Sequence, residues 1–401
     1  MIQYQWLDRV TAPGGMRAAG IRAGVKTVGP DIAVLFSDRE SSSAAVFTQS
    51  QFCAPPVSVS RKHAAGGALR AIVANSGCAN CCTGEQGIAD AVEMAVLTAE
   101  ALGIPPDRVL VASTGIIGHP LPMDILRAGI PSAVRVLHAD GFGDASEAIL
   151  TTDTHPKAAS ILLYLDGHPV TITGMVKGSG MVGPRMATVF AFFATDAGIE
   201  AAALQDIFAR VIDCSINRVT VDGDTSTNDT ACILASGAAG IPRIKAGDPA
   251  ALIFEEGLTL LAQRLARSLA RDGEGANHLL TVRVRGARSE SDADAIAMTI
   301  ANSPLVKTAI FGRDPNWGRI AMAAGRAGVE FDQAKVDIRL NGFDMAIDGG
   351  RVEFDEKAVQ DTLSQDEITI EVDLKQGSAE AVAWTCDFSY DYVKINAEYH
   401  T

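Results

Sequence analysis

The sequence predicts an α/β protein, and three features carry the prediction. Short apolar, β-prone runs recur at 71–74, 109–112 and 189–195, each bounded by polar or glycine-rich turns and too short to be an ordinary helix. Segments with apolar residues at three- and four-residue spacing recur at 88–102, 201–213 and 249–271 and read as amphipathic helices. The two kinds of segment alternate along the chain, which points to the α/β class without giving its topology.

The 401 residues are enough to bury a large core, and the length suggests two or so structural units. Apolar runs are interrupted by charges well short of 18 residues, so no transmembrane helix is expected. The opening residues Met1-Ile-Gln-Tyr-Gln-Trp-Leu-Asp-Arg9 lack the features of a signal or transit peptide, and a cytoplasmic protein is expected. A formal charge of −14 argues against nucleic acid or an anionic membrane as partner, while leaving room for small anionic substrates. The seven cysteines are odd in number and unevenly placed, unlike a disulfide framework. Cys78-Ala-Asn-Cys81-Cys82 contains a C-x-x-C but no second ligand pair for a metal, so neither a metal nor a redox role is assigned to it.

In chain order, 20–25, 31–36 and 43–48 read as strands. Pro55-Pro56 is expected to stop any helix and favour an extended edge. A strand at 71–74 runs into the polar turn 75–80, and a helix at 88–102 stops at Gly103. The strand 109–112 delivers Ser113-Thr114-Gly115, where a hydroxyl and a glycine N–H are two kinds of donor that can hold an oxyanion, although a plain turn has the same composition. Thr151-Thr-Asp-Thr-His-Pro-Lys157 offers donors and acceptors for an amino-acid substrate, or caps and turns, ahead of a strand at 159–165. After the helix at 201–213, the polar run 217–229 lacks EF-hand spacing and reads as a hydrogen-bonded loop that shapes a site and caps a following helix. The helix at 249–271 ends in Asp272-Gly-Glu-Gly275, where Glu274 reads as an exposed, reachable carboxylate that the helix dipole does not favour. A strand at 279–284, a helix at 292–302, a helix start within 311–320 and strands at 336–340, 368–372 and around 383–390 complete the chain.

The chemistry centres on Lys177-Gly-Ser-Gly-Met-Val-Gly-Pro-Arg-Met-Ala-Thr188 and the buried run that follows it. A threonine at the mouth of a core strand is a poor nucleophile without a base. If the chain is cut before it, its new α-amine, with an intrinsic pKa of about 7.7–8.0, can take the hydroxyl proton.

These residues, together with Ala-Ser-Thr-Gly-Ile-Ile-Gly at 112–118, Thr-Thr-Asp-Thr-x-Pro-Lys at 151–157, Val-Asp-Gly-Asp-Thr-Ser-Thr-Asn-Asp at 221–229 and Asp-Gly-Glu-Gly at 272–275, resemble the ornithine acetyltransferase family, also called glutamate N-acetyltransferases. The resemblance runs from Gly20 to Thr401, with a departure at Gly183-Pro-Arg185, where the family often has Pro-Asn. It implies a layered α/β sandwich of the self-processing N-terminal-nucleophile type. The chain would cut itself between Ala187 and Thr188 into 1–187 and 188–401, and two such pairs would assemble as a heterotetramer. It further implies Thr188 as nucleophile, Thr114 and Gly115 as the oxyanion hole, and a substrate pocket of Thr151, Lys177, Thr188, Glu274, Asn396 and Thr401. Thr152 and Thr154 remain alternatives to Thr151. No metal or organic cofactor is implied, and the Phe311–Ile320 segment would be a subunit contact.

The resulting expectation is ping-pong transfer of acetyl from N2-acetylornithine to glutamate through an acetyl-threonine, in arginine biosynthesis. The motifs leave open whether acetyl-CoA is also a donor and whether a specialised pathway is served. The rival readings are a self-processing aminopeptidase or amidohydrolase of similar fold, which would lack the Met-Ala-Thr and Thr-Thr-Asp-Thr motifs, and a non-catalytic small-molecule-binding protein whose chain stays uncut.

Overall fold

The computed structural model describes residues 2–183 and 189–398. Ala187, Thr188 and Thr401 lie outside the described residues, as do Pro184 and Arg185 of the departure from the family pattern. The described strands form three sheets. The central sheet runs, in spatial order, Tyr4–Trp6, Lys157–Leu165, His168–Lys177, Phe190–Thr195, Thr230–Ala235 and Ser42–Phe47. Two strands from beyond position 188 are thus inserted between strands from before it. A four-stranded sheet runs Met16–Ile21, Ile32–Ser37, Ala71–Cys78, Val109–Ile116, its last two strands parallel. A third sheet, Gly350–Arg351, Phe343–Ile347, Asp337–Leu340, Glu367–Asp373, Leu279–Ala287 and Ala379–Cys386, belongs wholly to the C-terminal part.

The strand Phe190–Thr195 shows why the layers form, because period-2 alternation sends its side chains to two buried faces. Phe190, Phe192 and Ala194 pack with Leu35, Ile72 and Leu110 of the four-stranded sheet. Ala191 and Phe193 pack with Leu204 and Phe208 of the helix Ala201–Asp213 and with Leu261 and Leu265 of the helix Pro249–Arg271. Each buried phenylalanine stabilises the stack by about 1.5–3 kcal/mol. The outer face of the four-stranded sheet, with Val34, Val73 and Val111, meets Met94 of the helix Gly84–Leu102 and Leu126 of the helix Met123–Arg135. The order helix, sheet, sheet, helix is the expected layered α/β sandwich. The third sheet has its own core under the helices Glu290–Ala301, Pro304–Phe311 and Trp317–Gly325.

The helices at 201–213 and 249–271 stand where their periodicity puts them, and Gly103 closes its helix in the left-handed conformation, φ 69°. Three expectations are corrected. Pro55-Pro56 starts the helix Pro55–Ala64 instead of stopping one. Ala54 takes the extended backbone that a residue before proline prefers, and the N–H groups missing at the first turn have no intrahelical partner anyway. The segment 75–78 is not a turn but continues its strand, because Asn75 Nδ2 donates to the Cys78 carbonyl and Ser76 Oγ to the Ala148 carbonyl, so their polarity is satisfied within the fold. The polar run at 217–229 leads into the strand Thr230–Ala235 and caps no helix. Its polar groups are spent on the glycine loop that follows Lys177, described next.

Candidate active site

Thr114 and Gly115 lie near the C-terminal end of Val109–Ile116, opposite Ser76 and Gly77, where the pairing register shifts. The two backbones approach so closely that a Cβ on Gly115 would stand 2.3 Å from the Gly77 carbonyl carbon, and both glycines have positive φ, 130° and 109°. Only glycine fits such a junction. It turns Thr114 and Gly115 into the wall of a cavity of about 450 Å³, shared with Thr151, Thr152, Gly180, Asp222, Glu274, Tyr392 and Asn396.

Lys177 ends the strand His168–Lys177 and is not a solvated loop lysine, being 1% exposed. Its Nζ donates to Thr151 Oγ1 at 2.8 Å and to Thr114 Oγ1 at 3.2 Å. Each hydroxyl accepts from the ammonium and so keeps its own hydrogen to donate elsewhere. Burial pushes the Lys177 pKa down, with Asp153 opposing it. Asp153 accepts from Lys157 Nζ at 2.6 Å, from the Gly178 N–H at 2.7 Å and from the Thr151 N–H at 3.1 Å. Burial raises its carboxyl, but the Lys177 and Lys157 charges outweigh that and bring it down to about 2. Lys157 also meets Asp272 at 2.5 Å, which extends the network to the far end of the long helix. Thr151 and Thr152 line the cavity, whereas Thr154 turns its hydroxyl to Asp272.

The reading of Glu274 as exposed is corrected, since the residue is 8% exposed. Its N–H donates to the Ser179 carbonyl at 2.8 Å, which folds the turn onto the glycine loop, and Gly180 leaves the space its carboxylate fills. Asn396, on the C-terminal helix Tyr390–Glu398, donates through Nδ2 to Glu274 Oε2 at 2.8 Å. The chain end is therefore not a frayed tail up to Glu398. From the same helix the Tyr392 hydroxyl reaches Asp222 Oδ2 at 3.4 Å. Asp222 accepts from the Met181 and Val182 N–H groups at 2.7 and 2.9 Å, and this use of the polar run fixes the glycine loop. Burial raises the Asp222 carboxyl.

On the other side of the undescribed segment, the Val189 N–H donates to Asp229 Oδ1 at 2.8 Å and the Val189 carbonyl accepts from the Thr230 N–H at 3.1 Å. Asp229 is fully buried, and burial pushes its carboxyl well above the usual range, offset in part by the Val189 N–H, Lys177 and Ser226. Asn228 Nδ2 ties the Ala79 and Ser113 carbonyls together at 2.6 and 2.8 Å, locking the loop to the end of the Thr114 strand. Sequence reasoning named neither Asp153 nor Asp229, Asn228 and Tyr392 as site residues. The signal for Asp153 was its spacing four residues before Lys157, which a short polar turn can bring into contact; the others carried none beyond the polarity of their run.

Among the described residues, no three His, Cys, Asp or Glu side chains converge closely enough to hold a metal ion, and no helix is long and apolar enough to cross a membrane. The cysteines are free, and the Cys81 and Cys82 sulfurs lie 3.7 Å apart.

A family model described as the ArgJ family matches residues 17–401. The arginine biosynthesis bifunctional protein ArgJ of Symbiobacterium thermophilum is 49% identical over 401 residues, covering 99% of this chain and 100% of the relative. The protein of the same name from a Synechococcus species is 47% identical over 415 residues, covering 100% of both. Among solved structures, the arginine biosynthesis bifunctional protein from Bacillus halodurans is similar at a TM-score of 0.51 and 40% identity, over 52% of this chain and 98% of that one. With motifs, fold and comparisons in agreement over nearly the whole length, the chain belongs to the ArgJ family.

Proposed function

We propose that this chain is a self-processing N-acetyltransferase that moves acetyl from N2-acetylornithine to glutamate in arginine biosynthesis. The observation that carries the reading is the pair of hydroxyls, Thr114 and Thr151, held by the buried ammonium of Lys177 in the lining of a cavity that Glu274 and Asn396 also line. The strand Phe190–Thr195, which opens two residues after Thr188, pairs with Lys177 through Phe190, so the proposed nucleophile belongs to the same neighbourhood in sequence.

In the first stage Thr188 Oγ attacks the Ala187 carbonyl carbon and the C–N bond breaks, leaving an ester and a free amine. Water cleaves the ester, giving fragments 1–187 and 188–401. The solved Bacillus chain, matched over 98% of its own length but only 52% of this one, is what a separate half-length polypeptide would give. In the second stage Thr188 Oγ attacks the acetyl carbonyl and its proton passes to the Thr188 α-amine. The Thr114 hydroxyl and the Gly115 N–H hold the oxyanion, and ornithine leaves with the proton. The glutamate α-amine then attacks the acetyl-threonine, and N-acetylglutamate departs with the threonine hydroxyl restored. Because Lys177 polarises Thr114 from behind, the hydroxyl hydrogen is free for the oxyanion. Glu274 and Asn396, with Thr151 and Thr401, are assigned to the substrate ends. A cytoplasmic heterotetramer of two fragment pairs completes the proposal, and acetyl-CoA as an alternative donor is tested by offering it in place of N2-acetylornithine.

The test is direct. Purified protein is expected to run as two bands near half size under denaturing conditions, the smaller-numbered fragment ending at Ala187 and the other starting at Thr188 by terminal sequencing. Thr188→Ala is expected to remain one full-length, inactive chain. Double-reciprocal plots are expected to be parallel. An uncut wild type with full activity, or intersecting lines, overturns the covalent mechanism, and release of acetate or of amino acids from peptides without transfer favours the hydrolase reading.

A further inference from the structure

Lys307 has no part in the chemistry above, yet it is 1% exposed in the middle of the helix Pro304–Phe311. A buried ammonium is costly unless it is well satisfied. Among the described residues it meets no carboxylate directly. Its Nζ donates to Thr385 Oγ1 at 2.7 Å, lies 3.9 Å from Cys386 Sγ and sits 4.5 Å from the centre of the Phe388 ring. Burial lowers its pKa, with the Cys386 thiol and Asp387 opposing.

Those three contacts all fall on one segment, 385–389, which runs from the last two residues of the third sheet's strand Ala379–Cys386 to the start of the C-terminal helix. That segment also grips the turn that carries Glu274. Ser389 Oγ donates to the Gly275 carbonyl at 2.6 Å, and Asp387 Oδ1 accepts from the Asn277 and His278 N–H groups, each at 2.8 Å. Cys386 packs so closely that a Cβ on Gly273 would stand 2.7 Å from its sulfur. In the other direction, Phe388 stacks on Tyr392 at 4.7 Å and 21°, and Phe311, at the end of the lysine's own helix, makes an edge contact with Tyr390 at 5.4 Å.

We infer that Lys307 is a positioning residue for the substrate-recognition wall: by holding segment 385–389 it sets the Glu274 turn on one side and the Tyr392 and Asn396 helix on the other. The charge matters as well as the bulk, because an ammonium binds a hydroxyl and a π face at once, which a methylene chain of equal length does not. This rests on the proposed use of Glu274 and Asn396 for substrate.

The test compares Lys307→Met, Phe388→Leu and the double variant with wild type. Each single change is expected to raise KM for both substrates about fivefold or more while kcat stays within about threefold, and the double variant is expected to match the worse single, as members of one unit do. Hydrogen exchange supplies a readout independent of activity. Amides of 274–277 and 390–396 are expected to lose protection about tenfold, with those of 109–114 unchanged. If Lys307→Met does not accumulate, Phe388→Leu, which keeps the ammonium but removes the face it binds, carries the same comparison. A lowered melting temperature with unchanged KM and unchanged local exchange, or fully additive KM effects, overturns the inference. Failure of wild type to transfer acetyl would overturn the proposed function instead, and the exchange pattern would then decide this inference alone.

Discussion

Gly180→Ala isolates the recognition of substrate from the stability of the fold. A Cβ at position 180 would stand 2.3 Å from Glu274 Oε2 and 2.4 Å from its carboxyl carbon, while ordinary contact begins near 3.4 Å. The carboxyl group must therefore retreat by about 1 Å, a displacement that in a binding site can cost up to about a hundredfold. Retreat pulls Oε2 from Asn396 Nδ2, now at 2.8 Å, and a hydrogen bond to a charged group contributes about 1.5–3 kcal/mol. At about 1.4 kcal/mol per decade, kcat/KM is expected to fall roughly ten- to a hundredfold. Folding is expected to change little, by under about 1 kcal/mol, because Gly180 does not have a positive φ and what must move is the end of a flexible side chain. Steady-state kinetics with N2-acetylornithine and with glutamate, run beside a thermal melt, measure both quantities. A variant with KM and kcat within twofold of wild type and an unchanged melt would remove Glu274 from substrate recognition.

Thr114→Ala is expected to lower kcat by about 10²–10³ with the melting temperature and self-cleavage products unchanged, and near wild-type turnover would take Thr114 out of the oxyanion hole. Deleting 396–401 is expected to raise KM for both substrates and leave the two-band pattern intact on denaturing gels; unchanged kinetics would make the chain end a bystander. Asp153 supplies a pH prediction. Its carboxyl is held at about 2 against an ordinary 3.8, so it contributes about 2 kcal/mol of stability that is fully present above the ordinary value and is lost as pH falls through about 2. Urea unfolding between pH 4.5 and 2.5 is expected to show a shallower pH slope in Asp153→Asn than in wild type, and equal slopes would mean that the carboxyl is not depressed.

The long helices were legible because each exposes one face and buries the other over many turns, so periodicity survives whatever packs on it. Helix 201–213 needs only its own sequence to be found. Pro55-Pro56 is different: the same dipeptide ends one element or begins another, and the choice is set by whether the residues after it find a core, as Val57 and Val59 do here. Asn75 and Ser76 read as a turn because their polarity was expected to need water, whereas partners at Cys78 and Ala148 make a strand affordable. The site divides in the same way. Thr114, Gly115, Thr151, Glu274 and Asn396 line one cavity, but the burial of Lys177 and Glu274 could not be read locally. Lys177 is enclosed by Thr114, Thr151 and the charge of Asp153, all distant in sequence, and Glu274 is enclosed by a glycine loop and the chain's last helix.

The strand order of the central sheet has a consequence for the life history of the protein. Phe190–Thr195 and Thr230–Ala235 lie between His168–Lys177 and Ser42–Phe47, so a cut after Ala187 divides one sheet between two polypeptides that are threaded through each other. Neither half holds the complete central sheet, and the uncut chain has to fold first, with covalent connection holding the strands at high effective concentration. Cutting discards that advantage for good. A processed molecule taken apart by denaturant must find its other half by collision, so recovery of activity should be second order and fall on dilution, while the uncut Thr188→Ala chain should refold at a rate independent of concentration. If the chain cuts itself as proposed, the cut is a ratchet: it arms the enzyme once, and a molecule that later unfolds completely in a dilute compartment is lost rather than renewed.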